Sequence, residues 1–434
     1  MMKPIKLVVF MLDALCTLDL DQIRTLPNMG AILNRGSCVR HLEPIYPSLT
    51  YPCHVAVITG NTAKGHGIPH NEKVAVENPR APWYNQRSDI QGDTIFDAAR
   101  RAGKTSCALS WPVTGKADID FNMPMIVPIS YQGDDPYQFL AGNASQCLLD
   151  AYYWKYSRYL KGRDRSLDLF TMALAPDILR DFGQPDLMFI KMCDLDTVRH
   201  QNGIDNDFVK AQLKKHDEEF AVIVEAVRRH GEFDQTAFVI LGDHGQADIR
   251  RTVNMNLLLR DHGFLRTDAG NRLIDYQAYC HSASMSGWIQ LKNPGDAALR
   301  EKVYRFLLTL KDDPENPIGV VLTKEEAEKN YGLTGPLDFV VEGEEPTAFD
   351  ATLAGVDLFT PYLKPGRYYS VASHGYLPER DETTTLFAAG AGIRPGVTIE
   401  RTSIINVGPT LAALTGIELR DAEGSALKEL LSES

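Results

Sequence analysis

The sequence predicts an α/β fold, a doubly wound and mostly parallel sheet with an inserted α+β cap domain. Three observations predict it. Short, continuously apolar, β-prone runs alternate with helix-patterned segments, as in a parallel sheet covered on both faces. Aspartates stand directly beyond several of those runs, at the strand ends where such sheets place their ligand sites. One stretch, residues 247–372, has a different texture with long polar connections.

Leu7–Leu12 reads as the first buried strand and ends at Asp13; it follows Lys3 and Lys6 but is too short for a signal-peptide core. The segment Pro47-Ser-Leu-Thr-Tyr-Pro-Cys-His54 precedes the apolar stretch Val55–Ile58. Pro52 suits the first turn of a helix. Thr50 then stands at a helix N-terminus, where free amides and the dipole favour an anionic oxygen. Thr94–Ala102 reads as a helix, and Thr105–Ser110 and Asp186–Met192 as strands. In Asp196-Thr-Val-Arg-His200 the carboxylate and imidazole share one helical face. Phe208–Arg229 is a long helix ending near Gly231, and Thr236–Leu241 is a strand followed by Asp243-His244-Gly245. The chain returns to the main sheet through Thr384–Gly392, with Thr384–Ala389 as a strand, and through Thr402–Leu414. Residues 1–246 and 373–434 are therefore expected to form the core. Residues 247–372 form the cap, with Lys311–Pro317 and Val341–Asp350 as polar loops.

The 434 residues are 44% hydrophobic and 24% charged, ample for a large core. A net charge of −12 repels nucleic-acid backbone, which argues against extended nucleic acid as a partner. A small anionic substrate remains compatible, because bound cations reverse the local sign. No apolar stretch approaches the ~20 residues of a membrane span. Cys16, Cys38, Cys53, Cys107, Cys147, Cys193 and Cys280 are scattered singly and odd in number, which reads as reduced thiols in a cytoplasmic protein. The sequence says nothing of oligomeric state.

Taken singly, the chemistry-bearing residues have bland alternatives. Asp13 and Asp243 could cap helices, and Asp196 and His200 could form a surface pair. His374, in Ala372-Ser-His-Gly-Tyr376, could be an exposed turn histidine. Thr50 could be a plain N-cap, and Asn71, in Gly65-His-Gly-Ile-Pro-His-Asn71, could close an Asx turn. A buried strand ending in Asp-His nonetheless has to be solvated, paired or bound to metal.

Taken together, their order and strand contexts resemble the alkaline phosphatase superfamily, and within it the nucleotide pyrophosphatase/phosphodiesterase branch. The resemblance runs from Asp13 to Ser403-Ile-Ile-Asn-Val-Gly-Pro-Thr-Leu-Ala-Ala-Leu-Thr-Gly416. It implies an alkaline phosphatase-like core and two divalent metal ions, most commonly Zn2+. One ion would be held by Asp13, Thr50, Asp243 and His244, the other by Asp196, His200 and His374. It also implies that Thr50 is the nucleophile, forming a covalent phospho-threonine, and that Asn71 donates to a phosphoryl oxygen. The expected substrate is a small phosphate diester or pyrophosphate.

Ser110-Trp-Pro112 resembles a further branch motif on the loop after a strand, and Tyr46, Tyr51 and Trp111 are aromatics that could stack a base. Cys53 departs from the branch, which has Asn there. A sulfatase would need Cys or Ser in place of Thr50, with Pro and Arg two and four residues on; here those places hold Pro52 and His54. The long segment between His244 and His374 is similar to the inserted domain of phosphonoacetate hydrolases, which share the seven ligands. A phosphonate C–P hydrolase is therefore the alternative chemistry. A catalytically inactive, metal-stabilised binding protein is the alternative of another class, although none of the seven ligands is missing.

Overall fold

The computed structural model describes residues 4–76, 78, 81–128, 135–162, 165–312, 318–354, 359–361, 370–380 and 382–432. Before residue 247 the chain lays down β1 (Lys6–Leu12), β2 (Ser37–Glu43), β3 (Ser106–Pro112), β4 (Phe121–Met125), β5 (Leu187–Met192) and β6 (Thr236–Leu241). With Thr384–Gly390 and Thr398–Ser403 these make one eight-stranded sheet. Its order is Thr398–Ser403, β2, Thr384–Gly390, β6, β1, β5, β3, β4.

The central strand β1 explains the two-sided wrapping. Leu7, Val9 and Met11 enter one core with residues of the helices Thr50–Thr59, Ile95–Arg101 and Val407–Thr415. Val8, Phe10 and Leu12 enter the other, with residues of Leu167–Phe182 and Asp207–His230. A strand buried on both faces needs no polar alternation, hence its unbroken apolar run.

Neighbouring strands pair in parallel except Thr384–Gly390, which is antiparallel to both β2 and β6. That strand starts from the sheet edge where β6 ends, so it has to run the opposite way. The five expected strands and two expected helices form, with ends shifted by one or two residues. Strands β2, β4 and Thr398–Ser403 were not foreseen. All three lie towards the sheet margins, and β2, Ser-Cys-Val-Arg-His-Leu-Glu, mixes polar with apolar residues. Of Thr402–Leu414, expected in the sheet, only Thr402 and Ser403 belong to a strand, and Val407 onward is helical.

Within residues 247–372 the strands Ala278–Ala283, Ser286–Leu291, Phe339–Gly343 and Ile318–Thr323 form a separate antiparallel sheet. Its own core holds Cys280, Ile289 and Phe339 with Val303 and Leu307 of the helix Ala297–Asp312. A further cluster joins Trp288, Leu337 and Val340 of this segment to Tyr46, Leu49 and Leu377.

Val341–Asp350 is not a loop. Val341–Gly343 completes one strand, and Thr347–Asp350 pairs with Arg251–Asn254. Its acidic residues misled, because Glu342 and Asp350 are buried. Of Lys311–Pro317, the first two residues close a helix and the rest lie outside the described residues. No helix among the described residues is long and apolar enough to cross a membrane.

Candidate metal centre and active site

The carboxyl ends of β1, β2, β5 and β6 meet at one edge of the sheet, and the candidate residues gather there. Asp13 directly follows β1, and Asp243 lies two residues beyond β6. Ala14 takes a left-handed conformation (φ 63°), a strain of about 1–3 kcal/mol for a non-glycine residue. That turn aims its N–H at Asp243 Oδ1, 3.0 Å away, and the His244 N–H reaches the same oxygen at 3.0 Å. Oδ1 is thus satisfied by two amides, and Oδ2 is left to face inward. Gly245 is required by close approach, since a Cβ there would meet the Glu382 carbonyl at 2.0 Å.

Thr50 opens the helix Thr50–Thr59, whose ten residues are all buried. Its Oγ1 is 3.2 Å from His244 Nε2. The same nitrogen faces Asp13 Oδ1 at 3.4 Å and Asp243 Oδ2 at 3.2 Å. A tetrahedral ion with ~2.0 Å bonds has its ligand atoms about 3.3 Å apart. Asp13 Oδ1 and Asp243 Oδ2 are also buried without a hydrogen-bond partner. Orphaned carboxylate oxygens at this spacing could serve as the donor set of a cation. The residues present therefore fit a metal ion.

The second group is Asp196, His200 and His374, whose ligand atoms lie within 4.8 Å of one another, as do those of Asp13, Asp243 and His244. Asp196 and His200 sit one turn apart on the helix Asp194–Asn202, with Nε2 3.3 Å from Oδ1. His374 Nε2 lies 3.8 Å from the same oxygen, and its ring stacks on His244 at 3.8 Å. The two groups are therefore contiguous.

All three imidazoles are oriented alike. Nδ1 donates to a backbone carbonyl in each: Gly245 for His244 (3.1 Å), Ala372 for His200 (2.7 Å) and Ser48 for His374 (2.8 Å). That places the lone pair on Nε2, the atom facing the carboxylates. Metal-ligating histidines are commonly fixed in this way.

Burial and the neighbouring Asp243 raise Asp13 well above the ordinary carboxylate range. Burial pushes Asp196 the same way, but His200 and His374 outweigh it and hold it low. Burial and the adjacent His244 push His374 down to about 3, so its ring is neutral at neutral pH.

Asn71 lies beside the helix start, where its Oδ1 accepts the Tyr51 N–H at 2.9 Å. Trp111 lies within β3 and not after it; its indole packs edge-on against His54 and Phe189. Tyr46, Tyr51 and Trp111 are all buried, so none stacks a base.

Four further contributors went unrecognised in the sequence. His54 Nδ1 is 2.8 Å from the Thr50 carbonyl and 3.2 Å from Asp243 Oδ2; its spacing four residues after Thr50 was the available signal. Lys191 Nζ lies 2.8 Å from Asp13 Oδ2, and its signal was a lone charge inside the apolar strand Leu-Met-Phe-Ile-Lys-Met. Gln246 Nε2 donates to Asp196 Oδ1 at 2.6 Å. Arg199, fully buried, pairs with Asp19 at 2.6 Å and donates to the Ala14 carbonyl, tying the His200 helix to the Asp13 turn.

Residues 7–377 match the family model described as type I phosphodiesterase/nucleotide pyrophosphatase. The chain is 21% identical over 434 residues to ectonucleotide pyrophosphatase/phosphodiesterase family member 7 of Rattus norvegicus, covering 95% of this chain and 84% of that one. It is 22% identical over 247 residues to the venom phosphodiesterase of Naja atra, covering 56% and 26%. The murine ectonucleotide pyrophosphatase/phosphodiesterase 5 structure superposes with a TM-score of 0.68 at 16% identity, covering 98% of this chain and 100% of that one. An inactive threonine-to-alanine form of it in complex with AMP superposes at 0.67, with 16% identity and the same coverage. The chain belongs to the type I phosphodiesterase/nucleotide pyrophosphatase family and is a hydrolase of phosphodiester bonds.

Proposed function

We propose that the chain cleaves small phosphate diesters or nucleotide pyrophosphate bonds at a centre for two divalent cations, zinc by choice of donor, with Thr50 as nucleophile. The carrying observation is the shared orientation of His200, His244 and His374, with Nε2 turned to the carboxylates and the Thr50 hydroxyl 3.2 Å from one of them. Asp13, Thr50, Asp243 and His244 would hold one ion, and Asp196, His200 and His374 the other. Bound there, the ions supply Lewis acidity and favour the deprotonated form of a ligated hydroxyl.

In this reading the Thr50 oxygen forms a bond to phosphorus as the bond to the leaving oxygen breaks. Water then bonds to that phosphorus as the Thr50 O–P bond breaks, which frees the phosphate product and restores the Thr50 hydroxyl. The Asn71 Oδ1 is engaged by the Tyr51 amide, which frees its NH2 to donate to a phosphoryl oxygen. Buried His54 holds the Thr50 carbonyl and so fixes the first turn of the helix. A threonine-to-alanine change that inactivates the murine relative supports Thr50, and the AMP in that structure supports a nucleotide substrate.

A cavity of about 810 Å3 adjoins His200. It is lined by His70 and Glu72 from the core and by Tyr279, His281 and Phe349 from residues 247–372. We assign that segment the role of a cap that shapes the leaving-group side, a volume typical of small-ligand sites. We also propose a reducing, cytoplasmic setting, on the single, scattered and odd-numbered cysteines of the sequence.

The test is a panel of nucleotide diesters, bis-p-nitrophenyl phosphate, phosphate monoesters and phosphonoacetate, assayed with and without chelator. Chelator-sensitive turnover of diesters over monoesters is expected. Preference for phosphonoacetate would replace the reading with C–P hydrolysis. Metal binding with no turnover of any substrate would make the chain a binding protein.

A further inference from the structure

We infer that Lys191 is a positioning residue of the metal centre, fixing the Asp13 carboxylate so that Oδ1 alone is presented to the cation. This rests on the two-cation reading above. Lys191 lies on β5, paired with Met11 of β1, and its side chain is 1% exposed. Its ammonium is 2.8 Å from Asp13 Oδ2. Its other close neighbours are sulfurs, Cys193 Sγ at 3.2 Å and Met125 Sδ at 3.6 Å, which solvate a cation poorly.

A buried ammonium is costly unless paired. Here its partner is a carboxylate whose second oxygen is buried, unbonded and 3.4 Å from His244 Nε2. The ion pair therefore sets the carboxylate rotation and makes Asp13 a one-oxygen ligand. It also places positive charge among Asp13 and Asp243 before any cation arrives. The Asp196–His200–His374 group has a separate support, Gln246 and the carbonyls of Ala372 and Ser48. Lys191 thus acts on one ion site and not on the other.

The experiment is equilibrium dialysis of the full chain against Zn2+, with metal per chain read by elemental analysis, on wild type, Lys191→Met and Lys191→Arg. Circular dichroism and thermal melts check the fold. The wild type is expected to bind two ions. Lys191→Met keeps one class of site at wild-type affinity and weakens the other by roughly 10–100-fold, the usual effect of losing a residue that orients a ligand. Lys191→Arg keeps the charge but not the reach, weakens the same class less, and carries the test if Lys191→Met does not fold. In diester turnover, kcat falls and KM stays near wild type.

Two wild-type-like sites in the variants overturn the inference and leave the two-cation reading standing. Equal weakening of both classes also overturns it, since that marks a general structural role. A wild type that binds fewer than two ions overturns both.

Discussion

His374 Nδ1 donates to the carbonyl of Ser48, 2.8 Å away and two residues before Thr50. Ser48 Oγ in turn accepts the Gly375 N–H and donates to the Tyr376 carbonyl, each at 3.0 Å. The segment bearing the proposed nucleophile and the segment bearing the last histidine are thus one hydrogen-bonded unit, although 326 residues separate the bonded pair.

Ser48→Ala removes the side-chain half of that link and takes away the acceptor of the buried Gly375 amide. A stability loss of about 1–3 kcal/mol is expected. With His374 less firmly held, kcat should drop roughly 10–100-fold. Denaturant melts and steady-state kinetics together check this; unchanged kcat would mean that the Ser48 carbonyl suffices alone.

Thr50→Ala should lower kcat by roughly 10³-fold or more, because no other hydroxyl replaces the nucleophile. Metal at Asp196, His200 and His374 should remain, and the fold should persist. Near-wild-type turnover by the purified variant would falsify the nucleophile assignment.

Asn71→Asp keeps the acceptor that takes the Tyr51 N–H at 2.9 Å but replaces the donor NH2 with a charged oxygen. Loss of one oxyanion donor costs on the order of 10²–10³ in kcat. The helix start should stay intact, so the melting temperature should move little. A fall in stability matching the fall in rate would point to a structural asparagine instead.

Stripping metal should abolish turnover and lower the melting temperature. Asp13 and Asp243 are buried, with an unbonded oxygen each and only partial compensation from Lys191 and His54. Adding Zn2+ back should restore both properties. A chelated protein that melts as the untreated one does would contradict the placement of an ion between them.

Stability should fall on acidification through a group outside the centre. His66 is fully buried, and burial pushes it from an ordinary 6.5 down to about 3. Between those values the unfolded chain binds the proton and the native chain does not, so stability rises with pH across that window and is lost as pH falls through it. The full loss is on the order of 5 kcal/mol. Melts between pH 7.5 and 4.5 in chelator should show a shallower pH slope for His66→Gln than for wild type; equal slopes would exclude His66.

By itself the sequence determined the doubly wound fold and the roster of candidate residues. Unbroken apolar runs such as Leu7–Leu12 can be satisfied only by burial on both faces, and the aspartates beyond β1 and β6 mark the edge where those strands stop. Periodicity also placed Asp196 and His200 on one turn. Only the tertiary structure decided the rest. Lys191 resembled an interruption in a strand, His54 a helix residue and Gln246 a loop residue, because their roles are contacts with Asp13, Asp243 and Asp196, which are distant in the chain. The direction of Thr384–Gly390 and the burial of Glu342 and Asp350 were likewise hidden. Local pattern reports which face of an element is apolar. Which distant carbonyl orients a histidine, or which ammonium neutralises a carboxylate, is fixed only when the packed elements bring them within hydrogen-bonding reach.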